Sequence, residues 1–182
     1  MKNGKKPLAV LKAMKLVYLS DRESLFKWGF PILDELRVSM PHGPVNSSTY
    51  SYISGTVDPT KFGWSDFLSD RANHNVGMAS KDMSRDALDE LSPADLECLD
   101  AVWSKFGHMT QWQIRDWTHI KKNVPEWEDP NGSSTPIPVE RILMALGKSD
   151  AVEQSEIVDD FSNIDAIFAD GGIEELFVDA IV

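Results

Sequence analysis

The side chains best able to do chemistry in this chain are four histidines (His42, His74, His108, His119), one cysteine (Cys98) and two close carboxylate pairs, Asp34–Glu35 and Glu126–Glu128. Their spacing supports few reactions. No two histidines stand four residues apart, and the His-Glu-x-x-His pattern that turns two imidazoles toward one zinc ion is absent. Asp116 and His119 share a helix face at i,i+3, a spacing that a metal could use but that a local hydrogen bond uses more often. Cys98 sits mid-helix beside Leu99, without the base or helix N-terminus that would make it a thiolate, so a buried structural thiol is expected. Carboxylate pairs do acid–base work only in a shaped pocket, and these read as solvated faces. The glycine patterns that cradle phosphates are missing as well. The expectation is a protein that is not an enzyme and that carries no cofactor and no metal.

The elements that must position these groups are mostly helical. Pro7 suits the first position of a long helix over about 8–27, closed by Gly29, with Leu11, Met14, Tyr18 and Leu25 on one face. Leu36 to Met40 alternates apolar and polar as a short strand does, and His42-Gly43-Pro44-Val45 then forces a turn. Ser47 or Ser48 can cap a short helix ending near Ser54. Residues 55–75 read as a loop, and Val76 to Ala79 as a second short strand pairing with the first. Ser92-Pro93-Ala94-Asp95 opens a helix over 93–106, and Thr110-Gln111-Trp112-Gln113 is a capping box for another over 111–119. Turn-rich residues 125–138 lead to a helix near Val139–Leu146. The predicted class is therefore mainly α, a compact multi-helix domain with a minor short antiparallel β element.

Charge divides the chain. It has 29 acids and 18 Lys or Arg residues, a net charge of −11. Ten of the acids, and no Lys or Arg, lie in 149–182, which leaves the first 148 residues nearly neutral. Two regions are thus expected: a body over 1–148 and an acidic amphipathic tail over 149–182, the latter with Ile157, Phe161, Ile164 and Phe168 at helical spacing. Such a charge balance disfavours nucleic acid as a partner, because phosphate binding needs clustered bases. The one basic cluster, Lys2, Lys5, Lys6, Lys12 and Lys15, reads as a solvated helix start. Lys12, Lys15 and Asp21 interrupt the apolar run near the N-terminus, so neither a secretory segment nor a membrane span is expected there. A lone cysteine fits a reducing cytoplasm. Among the tryptophans, Trp28, Trp103, Trp112 and Trp117 lie in or beside helices and are expected to fill the core. Trp64 and Trp127 lie in polar loops, where an aromatic side chain can serve a partner contact.

Several blocks then coincide with a known pattern. Lys15-Leu16-Val17-Tyr18-Leu19-Ser20-Asp21-Arg22-Glu23-Ser24-Leu25, Gly29-Phe30-Pro31-Ile32 and His42-Gly43-Pro44-Val45 closely resemble the Panacea domain of SocA-like antitoxins. So do Leu91-Ser92-Pro93-Ala94-Asp95-Leu96, Phe106-Gly107-His108-Met109 and Trp117-Thr118-His119, in the same order. The resemblance implies a mostly helical antitoxin of a bacterial or phage-borne toxin–antitoxin system, whose partner is a cognate protein toxin bound directly. Family members pair with unrelated toxins, so the toxin's identity does not transfer. The resemblance also carries an alternative, an adaptor that delivers its toxin to an ATP-dependent protease. A metal-dependent enzyme is the third reading. The family has no catalytic residues to carry over. Its turn motif falls on His42, Gly43, Pro44 and Val45, and its first-helix acid on Asp21. The candidate partner-binding residues are accordingly Asp21, His42 and Pro44 from the motif, Trp64 and Trp127 from the loops, and Asp159, Asp160, Phe161 and Ile164 from the tail.

Overall fold

The computed structural model describes residues 7–58, 60, 63–68, 73–79, 84–85 and 88–169, with the backbone alone for 165–169. Lys2, Lys5 and Lys6, the side chain of Phe168 and everything after Ala169 therefore lie outside the described residues. Within them the fold is mainly α with minor β, as expected. A central helix, α1 (Val10–Trp28), carries Leu16, Tyr18, Leu19 and Leu25 into the larger apolar cluster and Val10, Ala13 and Met14 into a smaller one. Gly29 closes α1 at φ +80°, its N–H reaching the Leu25 carbonyl as a left-handed cap.

Pro7 does not open that helix. Leu8–Ala9 form β1, paired antiparallel with β4 (Asn75–Val76), and the Val10 N–H bonds the His74 carbonyl. The ladder thus takes the backbone groups that a first helical turn would have left free. The second short strand therefore pairs with β1 and not, as expected, with the strand at 36–40. β2 (Arg37–Met40) pairs instead with β3 (Gly43–Asn46) and with β5 (Thr135–Pro136), in the order β3-β2-β5. Met40 faces Gly43, so the reversal is made by Pro41 and His42, and Gly43 and Pro44 already belong to the strand. Pro44 and Pro136 both occupy edge strands, where a missing N–H breaks no central ladder.

Helix α2 (Ser47–Ser54) takes its cap from elsewhere than its own serines. Glu35 accepts from both the N–H of Thr49 at 2.8 Å and its hydroxyl at 2.5 Å. A one-turn helix, α3 (Trp64–Phe67), lies within the expected loop. By contrast α4 (Pro93–Phe106) and α5 (Gln111–His119) begin where their capping boxes predict, Ser92 with Asp95 and Thr110 with Gln113. The last two helices are α6 (Val139–Ala145) and α7 (Ala151–Ala169). α1 packs against α2, α4, α5, α6 and β3, and α7 packs on α6.

The aromatic expectation is inverted. Trp28, Trp103 and Trp112 are more than half exposed, and Trp127, in a loop, is 8% exposed. On α4 the buried stripe is Cys98, Val102 and Phe106, so Trp103 is turned one position off it. Lys12 lies over the Trp103 ring. Trp117 is the exception, half-buried and edge-on to Phe106 at 4.7 Å. Trp127→Ala should therefore cost about 3 kcal/mol or more and Trp103→Ala about 1 kcal/mol or less. Urea unfolding of the two variants beside wild type checks the order.

Candidate functional site

The inward strip of α1 carries polar residues where a core helix ordinarily has apolar ones. Lys15, Tyr18 and Asp21 are all 1% exposed or less. Each such group must find partners, because an unpaired buried charge costs several kcal/mol. Asp21 finds five. Its Oδ1 accepts the N–H groups of Ile32 and Leu33 at 3.1 and 3.0 Å. Its Oδ2 accepts Arg37 Nε at 3.1 Å, Arg37 Nη2 at 2.9 Å and Asn46 Nδ2 at 2.7 Å. Burial pushes this carboxyl above its ordinary value, while the Arg37 guanidinium, Asn46 and the Leu33 N–H pull it back. One carboxylate thus fixes the end of the loop after α1 and both strands of the β2–β3 hairpin.

The turn of that hairpin is clamped from three sides. Lys15 Nζ donates to the Pro44 carbonyl at 2.8 Å, and Trp127 Nε1 donates to the Met40 carbonyl at 3.1 Å. His119 Nε2 lies 3.1 Å from the Pro41 carbonyl while its ring packs edge-on to Trp127. Gly43 stands between them at φ +93°, and a Cβ there would come within 2.8 Å of Thr118 Oγ1 and 3.0 Å of Lys15 Nζ. Glycine is needed for both reasons. Beside the clamp, Glu126 accepts from the Tyr18 hydroxyl at 2.8 Å and from Arg22 Nε at 2.6 Å. Burial and the Glu126 carboxylate together push the Tyr18 hydroxyl well above its ordinary value.

The candidate residues fall into three places. Asp21, Pro44 and Trp127 converge on the hairpin, all buried, so they hold the scaffold and offer no surface; His42 is exposed at the turn. Trp64 stands apart, half-buried and stacked on Tyr52 at 5.0 Å. Asp159, Asp160, Phe161 and Ile164 are exposed on α7, with Phe161 edge-on to Phe30.

Two expectations about charge are corrected. Lys15 is a core residue and not part of a solvated helix start, and Glu126 is 1% exposed and not on a solvated face. The residues missed were Lys15, Arg22, Arg37, Asn46 and Glu126. The available signal was a lysine and an aspartate breaking an otherwise apolar strip of α1.

Other chemistry is spent locally. Asp116 is engaged by Arg115, and both His119 nitrogens face backbone carbonyls, those of Arg115 and Pro41. Burial pushes the Cys98 thiol above its ordinary value, the direction opposite to nucleophilic activation. Among the described residues no group of three or more His, Cys, Asp or Glu side chains could hold a metal, and no helix is long and apolar enough to cross a membrane.

The blocks that build this network are those of a family. The family model described as antitoxin SocA-like, Panacea domain, matches residues 13–128. The chain belongs to that family. No curated protein and no solved structure matches it. The matched span opens two residues before Lys15 and closes two residues after Glu126, so it encloses the whole buried network of the Panacea domain and leaves out α6 and α7.

Lys15 gives this network a pH signature. Burial lowers its ammonium from 10.5 to about 7. Between those values the unfolded chain holds a proton that the folded protein has lost, so stability should rise with pH across that window. Below about pH 7 both states are charged and the burial cost is felt in full. The urea midpoint of the wild-type protein should climb from pH 7 toward about pH 9, and Lys15→Met should remove most of that slope. Because the variant also strips Pro44 of its donor, the slope and not the absolute stability is the measurement that decides.

Proposed function

We propose that this protein is an antitoxin that neutralises a cognate protein toxin by direct, stoichiometric binding and catalyses nothing. The observation that carries the reading is the match to the SocA-like antitoxin family over residues 13–128, which coincides with the buried network around the β2–β3 hairpin. Lys15, Asp21 and His119, three polar side chains of the motifs, are engaged in holding that hairpin. Asp21, Lys15 and Glu126 are sealed from solvent. A body built this way suits recognition by a preformed face, which lowers the ordering cost of association.

Binding, not turnover, predicts a definite stoichiometry. Co-expression with the product of the adjacent gene, where a toxin usually lies, should relieve growth arrest only as the antitoxin approaches the toxin in amount. The two should then co-purify as one complex. Relief by a small fraction of the toxin's amount, with no complex recovered, would refute direct neutralisation. Toxin that vanishes only in cells holding an intact ATP-dependent protease would select the adaptor mode instead.

A further inference from the structure

Helix α7 is anchored by one face and unpartnered on the next. Ala151, Ser155 and Val158 are buried against the body, and Gln154 Nε2 donates to the Gly29 carbonyl at 3.0 Å. Ser162 Oγ bonds Asp34 at 2.7 Å. The apolar stripe read from the sequence lies on a different face. Ile157, Phe161 and Ile164 recur at four- and three-residue spacing along the adjoining flank and remain 38%, 54% and 47% exposed. Phe161 extends this flank onto the body through Phe30, ring to ring at 5.5 Å, and Phe30 is itself 38% exposed.

The solvent side of the stripe is bordered by Glu153, Glu156 and Asp160, all exposed. These acids stand three and four residues apart, where like charges on a helix repel, and no Lys or Arg follows Lys148 to relieve them. A surface helix that only needs solubility ordinarily mixes signs. An apolar stripe edged by uncompensated acids is instead complementary to an apolar stripe edged by bases. The same acids oppose nucleic acid and anionic lipid, whose phosphates they would repel, so the complementary surface is a protein one.

We propose that this flank of α7, with Phe30, is the surface on which the toxin docks, and that it takes a cationic amphipathic helix of the toxin. The proposal rests on the antitoxin reading and adds the chemistry of the partner. Opposite charge along the edge speeds encounter and weakens with salt, while Ile157, Phe161 and Ile164 supply the salt-insensitive part.

The test uses the full chain and, as probe, a fluorescent amphipathic peptide with a leucine face bordered by lysines. Wild type should bind it, more weakly as salt rises, and should not bind the same peptide with glutamates in place of the lysines. Phe161→Ser/Ile164→Ser and Glu153→Lys/Glu156→Lys/Asp160→Lys should each weaken binding by about tenfold or more. Neither set touches Ala151, Gln154, Ser155, Val158 or Ser162, which anchor the helix, so their melting curves should stay near wild type. Trp112→Ser, which removes an exposed aromatic on α5, should bind as wild type does. Failure of the wild type to bind the lysine peptide, or equal loss in Trp112→Ser, overturns the proposal. A toxin complex that forms equally well with both α7 variants overturns this surface and leaves the antitoxin reading standing. No complex even with the wild type overturns both.

Discussion

Everything around the β2–β3 hairpin depends on keeping one aspartate ionically and hydrogen-bond satisfied in the interior. Asp21 gathers Arg37 from β2, Asn46 from the end of β3 and two backbone N–H groups from the loop between α1 and the sheet. A buried ion pair of this kind is a poor source of net stability, because desolvating both charges offsets most of their attraction. Its physical effect is on uniqueness. Any slip of the hairpin register would leave a carboxylate and a guanidinium buried without partners, a penalty far above the cost of losing a few van der Waals contacts. Lys15 and Glu126 work the same way on either side, one capturing the Pro44 carbonyl and the other Tyr18 and Arg22. The small sheet brings only Val38, Val45 and the partly buried Met40 to the smaller apolar cluster, and these polar pairs fix its register on α1.

This also explains which parts of the fold were legible in the sequence. Helices α4 and α5 were readable to the residue because their signals are local: a capping Ser or Thr and a side chain three positions on. Strand pairing was not, since β1 and β4 meet across more than sixty residues and are only two residues long. Pro7 promised a helix start, and a ladder formed by a distant segment overrode it. The cap of α2 came from Glu35, again outside the local window. Local chemistry was visible, and chemistry assembled by tertiary contact was not.

The candidate site shows the same division. Asp21 was found through family resemblance, yet its role follows from partners at positions 32, 33, 37 and 46 that no spacing rule connects. Glu126 looked like one of a solvated pair, yet the turn at Pro125 and Glu126 sends it inward to Tyr18 and Arg22, while Glu128 stays exposed and pairs with Arg141. The tryptophans misled for the opposite reason. Helical location suggests burial, but a helix buries only a stripe, and on α4 that stripe runs through Cys98, Val102 and Phe106. A loop tryptophan with its indole N–H pointed at a strand carbonyl satisfies both its apolar body and its polar tip, and so goes inside.

The placement of these constraints decides where the chain can change without losing its fold. Residues that hold the hairpin are fixed by mutual burial: changing Asp21 or Arg37 singly strands a charge in the core. Variation that preserves the fold is therefore confined to exposed positions and to elements outside the network. Helix α7 is such an element. It lies beyond residues 13–128 and is tied to the body by Gln154, Ser162 and a narrow small-residue face at Ala151, Ser155 and Val158. Its outward flank can change in charge and apolar content without altering any contact that positions the hairpin. A rigid interior and an outer helix tolerant of change are physically compatible because they share so few side chains, and that separation would let the flank change while the scaffold stays the same.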